Sequence, residues 1–286
     1  MMRPMLVNAA STITTEEMES FCEYFYRRTS IRLDAARRYF LDRRLEERIS
    51  ASGASSLREY TARLKLDASG RELQVLINEM TVNETYFFRE EYQFDALVRH
   101  MLDEIVATKL KGDRIKIWSV PCSTGEEPYS LAIWMLEYWP RADDFEIEIH
   151  ASDIDTRVIA RSREGLYEER AVHRVSQTLR NTYFDRVGAE KWQVKSALRQ
   201  SIEFSLVNVG DPKQMQAMKN FDVIFCRNLL IYFDDVSRRR TAEQFYEALL
   251  PGGFVCLGHS ESMSRISNLF VPRKYPEALV HQRPRS

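Results

Sequence analysis

Apolar and polar positions divide this chain into two regimes. Up to about residue 84 apolar residues recur at three- and four-residue spacing, the period of an amphipathic helix. Met18, Phe21, Cys22 and Phe25 mark a first helix, Thr14 to Thr29, opened by Thr-Thr-Glu-Glu. Ile31-Arg32-Leu33 leads to a second, Asp34 to Ser50, and Ser56 to Leu66 and Arg71 to Met80 predict two more. No strand pattern intervenes, so residues 1–84 read as a small all-helical domain. From residue 85 to residue 286 short apolar runs alternate with helical stretches. Strands are predicted from Ile115, over Phe145 to Ala151, Ile202 to Val207, Phe221 to Cys226 and Phe254 to Gly258, with a last apolar stretch from Phe270 to His281. Helices are predicted over Phe94 to Leu110, from Glu126 to Trp139, Thr156 to Arg163 and Asp235 to Leu249. That alternation predicts an α/β fold, a doubly wound and mostly parallel sheet with helices on both faces. Gly165 to Ser201 breaks the rhythm, with a helical Val175 to Phe184 and a strand-like Trp192 to Val194. It is too long for a structureless loop and reads as a small inserted subdomain, about residues 165–201.

The most informative stretch is Ile115 to Ser130, IKIWSVPCSTGEEPYS. A buried strand ends in a tight polar turn, and acids and a proline then open a helix. In open α/β sheets ligands gather outside the carboxyl ends of strands, so this turn is the first candidate site. It holds one glycine, Gly125, and lacks the G-x-G-x-x-G of dinucleotide folds. Glu126 and Glu127 at the helix start disfavour a phosphate and favour a ligand with positive charge and hydroxyls to donate, which S-adenosylmethionine has. Pattern alone does not separate the roles of these two acids, either of which could simply cap the helix. The second strand ends in Ser152-Asp153-Ile154-Asp155. An acid there is where a doubly wound fold holds ribose hydroxyls. Asp155 fits the cap of the next helix, which leaves Asp153 for a ligand. Between the two regimes, NETYFFREEYQF (Asn83 to Phe94) sets Arg89 among aromatic rings, a setting for a stacked guanidinium at a domain junction.

Composition narrows the function. The chain has 286 residues, 44% of them apolar, enough for a sizeable core. Its net charge of −1 speaks against bulk nucleic-acid binding. Four separated cysteines (Cys22, Cys122, Cys226, Cys256) without C-x-x-C read as free thiols, small buried fillers in a reducing compartment. The five histidines have no ligand spacing, so no metal is expected. With no signal peptide and no membrane-length apolar run, a cytoplasmic protein without direct membrane insertion is expected. Nothing demands more than a monomer. The second helix carries Arg37, Arg38, Arg43, Arg44 and Arg48; 37, 44 and 48 share one face, read either as a solvated face laced with acids or as a docking surface for an acidic partner.

Five motifs occur in order. They are N-x-T-x-F-F-R (Asn83, Thr85, Phe87, Phe88, Arg89), S-T-G-E-E-P-Y-S (Ser123 to Ser130), A-S-D-I-D-T (Ala151 to Thr156), C-R-N-x-x-I-Y-F (Cys226 to Phe233) and G-H-S-E (Gly258 to Glu261). Together, over about residues 15–281, they resemble the chemotaxis receptor methyltransferases, the CheR family. The resemblance implies a sheet of the S-adenosylmethionine-dependent methyltransferase type. It implies transfer of a methyl group from S-adenosyl-L-methionine, without metal, to glutamate side chains in the cytoplasmic helical domain of chemoreceptors. The products would be S-adenosyl-L-homocysteine and glutamate methyl esters that tune receptor signalling. It places Asn83, Thr85, Arg89, Glu127, Asp153, Asn208, Val209, Arg227 and Asn228 in the cofactor pocket. Arg89 and Tyr232 would lie near the methyl group, and the basic helix, through Arg37, Arg38, Arg44 and Arg48, would dock acidic receptor helices. One departure concerns pentapeptide tethering at the receptor C-terminus, which in some members uses a glycine-rich loop of the inserted subdomain. Here DRVGAEKWQVKSALRQ is short and has only Gly188, so tethering is not expected. Two alternatives stand beside this reading. A nucleic-acid or small-molecule methyltransferase acting on amino groups of bases would carry Asn/Asp-Pro-Pro-aromatic after the fourth strand, whereas Asn228 is followed by Leu229 and Leu230. A catalytically idle, cofactor-sensing docking module would not need Arg89 and Tyr232.

Overall fold

A computed structural model describes residues 13–33, 38–276 and 278–285. The chain forms two compact units, the first ending at Met80 and the second beginning at Thr81.

The first unit contains α1 (Thr15–Thr29), α2 (Arg38–Ser52), α3 (Leu57–Leu66) and α4 (Arg71–Met80). The start of α1 is set by a capping box: the Thr14 side chain accepts from the Glu17 backbone, and the Glu17 carboxylate accepts from that of Thr14. Met18, Phe21 and Phe25 of α1 are buried, as their spacing predicts, in a core with Leu45, Tyr60, Leu64 and Leu76. The arginine helix turns out to be built differently from a row of free cations. Arg48 forms a bidentate ion pair with Glu72 of α4, Nη2 to Oε2 at 2.7 Å and Nη2 to Oε1 at 2.8 Å, and Tyr60 donates to the same carboxylate at 2.6 Å. Its side chain is only 20% exposed. The Arg48 guanidinium, expected on a docking face, is thereby held against α4. Arg38 reaches Asp42 at 3.4 Å and also donates to the Ile13 carbonyl. Arg37 lies outside the described residues.

The second unit opens with α5 (Glu91–Ala96), a π-helical turn (Leu97–Met101) and α6 (Leu102–Val106), where one helix is expected. Then follow β1 (Arg114–Ser119), α7 (Glu126–Tyr138), β2 (Glu146–Asp153) and α8 (Thr156–Glu164). The insertion comes next, with β3 (Leu166–Glu168), α9 (Gln177–Tyr183), β4 (Phe184–Val187), β5 (Lys191–Val194) and α10 (Ser196–Gln200). The chain returns through β6 (Ile202–Leu206), α11 (Pro212–Met215), β7 (Phe221–Cys226), α12 (Asp235–Ala248), β8 (Leu249–Leu257), β9 (Val271–Tyr275) and β10 (Ala278–Gln282). Seven strands form one sheet in the order β6-β2-β1-β7-β8-β10-β9. Strands β6, β2, β1, β7 and β8 are mutually parallel, and β10 runs antiparallel to both β8 and β9. The last apolar stretch, expected as one segment, is thus a hairpin. Every residue of β7 is buried, which accounts for its continuous apolar run. The insertion is its own antiparallel sheet, β3-β5-β4. Its strands are only three or four residues long, too short for alternation to reveal β3 and β4. Its hairpin turns at Gly188, whose φ of 66° is left-handed.

Chain order reverses between β1 and β7, so the crevice beyond their carboxyl ends is the expected ligand position. Residues 81–84, expected with the helical part, lie in the second unit, where Thr81 and Asn83 bond Asp155. Cys122, Cys226 and Cys256 are buried free thiols, their pKa values pushed up by burial. Among the described residues no helix is long and apolar enough to cross a membrane, and no group of three His, Cys, Asp or Glu residues could hold a metal.

The two kinds of arginine on α2 should behave differently. Arg48→Ala leaves the partly buried Glu72 carboxylate without its ion-pair partner, bonded still by Tyr60, and should cost about 2 kcal/mol in denaturant unfolding. Arg43→Ala breaks an exposed pair with Glu47 and should cost less than about 0.5 kcal/mol.

Candidate active site

A cleft of about 260 Å³ opens beyond the carboxyl ends of β1, β2 and β7. It is lined by residues of 82–89, Phe94 of α5, the turn after β1 with Glu127 of α7, Asp153 at the end of β2, and residues of 227–232 after β7. Asn83, Thr85, Arg89, Glu127, Asp153, Arg227, Asn228 and Tyr232 all reach it. Asn208 and Val209 are not among its lining residues. They follow β6 beside β2, where Val207 donates to the Asp153 carbonyl at 3.0 Å. The Asn208 side chain accepts from the Gly210 backbone at 2.9 Å, and Val209 is buried.

The turn after β1 needs its glycine. Gly125 caps α7 at φ 98°, and a Cβ there would lie 2.7 Å from the Ser162 Cβ and 2.9 Å from the Tyr167 hydroxyl. The two acids that follow face different ways. Glu126 is buried, turned to the Thr124 hydroxyl at 2.6 Å, and burial raises its pKa. Glu127 faces the cleft, accepting from Ser119 Oγ at 2.8 Å and from Arg227 Nη1 at 2.9 Å. Burial raises its pKa too, opposed by the Arg227 charge.

Arg227 is the buried cation of the site, its side chain 3% exposed. Besides Glu127 it pairs with Glu90, Nη2 to Oε2 at 3.4 Å, and donates to the Arg89 carbonyl at 2.6 Å. Its Cζ lies 5.6 Å from the centre of the Phe94 ring. Glu90 also accepts from Tyr92 and Gln93, and His259 Nδ1 stands 2.9 Å from its Oε1. Burial disfavours ionisation of Glu90, but Arg227 and these partners leave its pKa below the ordinary range. One guanidinium between two carboxylates leaves the cluster acidic before His259 is counted.

Asp153 is 3% exposed. Its oxygens accept from Ser123 N at 2.9 Å and Asp155 N at 3.0 Å, tying the β1 turn to the end of β2. Burial raises its pKa to about 6. Asp155 caps α8 through Arg157 N at 2.8 Å, as its spacing predicts, and its other oxygen accepts from Thr81 and Asn83. The cap thereby fixes one wall of the cleft.

At the mouth, Arg89 donates to the Glu84 carbonyl at 3.0 Å and lies 5.9 Å from the Tyr86 ring centre. Among the described residues it has no carboxylate in ion-pair range. Tyr232 ends a 3-10 turn, Leu230–Tyr232, held by a residue whose role the sequence does not disclose. Glu261 accepts from four backbone N–H groups: Asn228 at 2.8 Å, Gly258 at 2.9 Å, Leu230 at 2.7 Å and Ile231 at 3.3 Å. Its only signal was membership of G-H-S-E. Glu90, 137 positions from its partner Arg227, and His259, 169 positions from its own partner Glu90, were likewise missed. Phe88, Glu90, Ser123 and Asn228 adopt positive φ without being glycine, all in or beside the cleft-lining segments.

The donor set fits S-adenosylmethionine. Asp153 offers carboxylate lone pairs to hydroxyls, and the Glu90–Arg227–Glu127 cluster has negative charge to spare for a cation. Arg227 Nε is a buried donor with no acceptor among the described residues, in a residue that lines the cleft, where a ligand carboxylate would satisfy it.

Glu261→Ala would orphan the four N–H groups. It should cost about 3 kcal/mol of stability and at least about tenfold in turnover, checked by thermal unfolding and initial rates.

Comparison with known proteins agrees with this geometry. Residues 83–278 match the family pattern described as CheR methyltransferase, SAM binding domain, and residues 16–81 that described as CheR methyltransferase, all-alpha domain. The chain is 45% identical over 272 residues to chemotaxis protein methyltransferase 2 of Vibrio cholerae, covering 95% of this chain and 94% of that protein. It is 32% identical over 273 residues to the chemotaxis protein methyltransferase of Borreliella burgdorferi, covering 94% and 96%. With that of Salmonella typhimurium it shares 34% identity over 255 residues, covering 88% and 85%. Matched along nearly its whole length, with a cleft that suits the methyl donor, this chain belongs to the CheR family of chemotaxis methyltransferases.

Proposed function

We propose that this protein methylates glutamate side chains in the cytoplasmic helical domain of chemoreceptors, with S-adenosylmethionine as donor. The observation that carries the reading is the sorting of charge in the cleft: Asp153 and Glu127 lie within, and Arg89 stands at the mouth without a carboxylate partner among the described residues. A cationic donor suits the inner part and an anionic acceptor the outer part.

When bound, S-adenosylmethionine supplies a methyl carbon made electrophilic by its sulfonium. Asp153 accepts from its ribose hydroxyls, and Asn208 with the Val209 backbone reads the adenine edge from the end of β6. Glu127, already sharing its charge with Arg227, faces the cationic end; Arg227 Nε and Asn83, Thr85 and Asn228 complete the polar lining. A glutamate acceptor is ionised at pH 7, so no residue has to remove a proton. The protein's task is alignment and exclusion of water. Fixing the carboxylate oxygen in line with the methyl group supplies up to about 7–11 kcal/mol. Arg89 draws the carboxylate to the mouth and Tyr232 borders the reacting atoms. A single guanidinium already engaged with Glu84 and Tyr86 guides the acceptor without locking its ground state. On the helical unit, Arg37, Arg38, Arg44 and Arg48 meet the acidic receptor segment, Arg48 with its guanidinium oriented by Glu72. The enzyme acts as a monomer in the cytoplasm.

The test uses tritiated S-adenosylmethionine and membranes carrying a panel of chemoreceptors. Label on receptor bands, released as methanol by mild base, is expected; base-stable label would overturn ester formation. Arg89→Ala should lower turnover about a hundredfold with donor affinity within about threefold. Asp153→Ala should weaken donor binding about tenfold or more by calorimetry. Because the Asp153 carboxyl titrates at about 6, donor affinity should fall as pH drops through that value and level off above it. In Asp153→Asn that step should vanish.

A further inference from the structure

A second cavity, of about 320 Å³, lies across the Leu230–Tyr232 turn from the cleft. Ile231 lines both cavities and is 45% exposed, so it forms a ridge at the surface between them. The second cavity presents Arg238, Arg239 and Arg265, with Ser260 and Ser262 between them. Two acids share it, and neither neutralises all three arginines. Glu261 is spent on its four backbone N–H groups. Asp235 pairs with Arg238 at 3.2 Å, and Arg238 Nε donates to the Leu230 carbonyl at 2.8 Å. Arg239 and Arg265 have no carboxylate within ion-pair range among the described residues. The cavity is therefore an anion receptor: two unpaired guanidinium groups with hydroxyl donors beside them.

We infer that this pocket takes a second carboxylate of the segment that carries the acceptor glutamate, and so selects which glutamates are methylated. The inference rests on the function proposed above. Its occupant follows from position: a segment crossing the Ile231 ridge, with its acceptor in the cleft, has its neighbouring residues over the arginine pocket. On a helical segment, residues three, four and seven positions away lie on the same face as the acceptor, about 5–10 Å along the axis. A carboxylate at one of these positions meets Arg239 and Arg265; a glutamine there forgoes the ion pair. The selection needs no contact with S-adenosylmethionine, and it acts on substrate capture more than on the chemical step.

The experiment takes a receptor labelled in the assay above and changes the acidic residues three, four and seven positions on either side of a methylated glutamate to glutamine, one at a time. The wild-type enzyme should lose about fivefold in kcat/KM for at least one of these changes, through KM, and the loss should shrink in 0.5 M salt. The double variant Arg239→Gln/Arg265→Gln should methylate the parent and changed receptors with equal kcat/KM. Its thermal unfolding and its calorimetric affinity for S-adenosylhomocysteine report that fold and cleft are intact. Equal rates of the wild type on all receptors, or a preference that survives in the double variant, would overturn the inference while leaving the proposed function standing. Inhibition by pyrophosphate that is equal for every receptor and lost in the double variant would assign the pocket to a free phosphorylated ligand, which also overturns it. Absence of label on every receptor would instead overturn the proposed function, and this inference with it.

Discussion

The site depends on one buried cation. Arg227 at the end of β7 bonds Glu127 on α7, Glu90 at the start of α5 and the carbonyl of Arg89. Those partners come from two stretches of chain, 89–90 and α7, far apart in sequence from each other and from Arg227. A guanidinium with 3% side-chain exposure is tolerable only with its charge matched, so each stretch is held in place by the penalty of leaving it. The same residue joins the junction segment bearing Arg89 to the sheet. Arg89 at the mouth of the cleft and Glu127 within it thus share one electrostatic anchor.

Around that anchor the cleft is walled by turns whose backbone is held by side chains. Asp155 caps α8 and takes Thr81 and Asn83 with its other oxygen, and Glu261 gathers four N–H groups from two loops. Carboxylates do this well because an ionised group accepts several hydrogen bonds at once. The left-handed conformations at Phe88, Glu90, Ser123 and Asn228 persist because packing and bonding over-determine them. Phe88 shows how: its N–H is bonded to Ser130 Oγ at 3.0 Å and its ring packs edge-on against Trp134. Rigid turns suit a reaction whose barrier is lowered mainly by alignment. They also make the Leu230–Tyr232 turn a firm partition, so that Ile231 can separate two cavities of different character.

What the sequence determined by itself were the features written in local periodicity and short spacing. The helices of the first unit, the parallel strands and the strand–turn–helix at Ile115 to Ser130 were legible because burial on one face imposes a period on consecutive residues. Asp155 could be separated from Asp153 because a helix cap is a local event, and the five ordered motifs carried the family. Tertiary structure alone decided everything that depends on partners distant in the chain. It turned Glu127 to the cleft and Glu126 away, committed Arg48 to Glu72, and gave Glu90, His259 and Glu261 their roles. It also split the last apolar stretch into a hairpin and paired β3 and β4, strands too short to show alternation, on either side of β5. The physical reason is common to all of these. A charged side chain reads the same in a sequence whether it is solvated or paired, and only folding brings up the group, tens of residues away, that decides which.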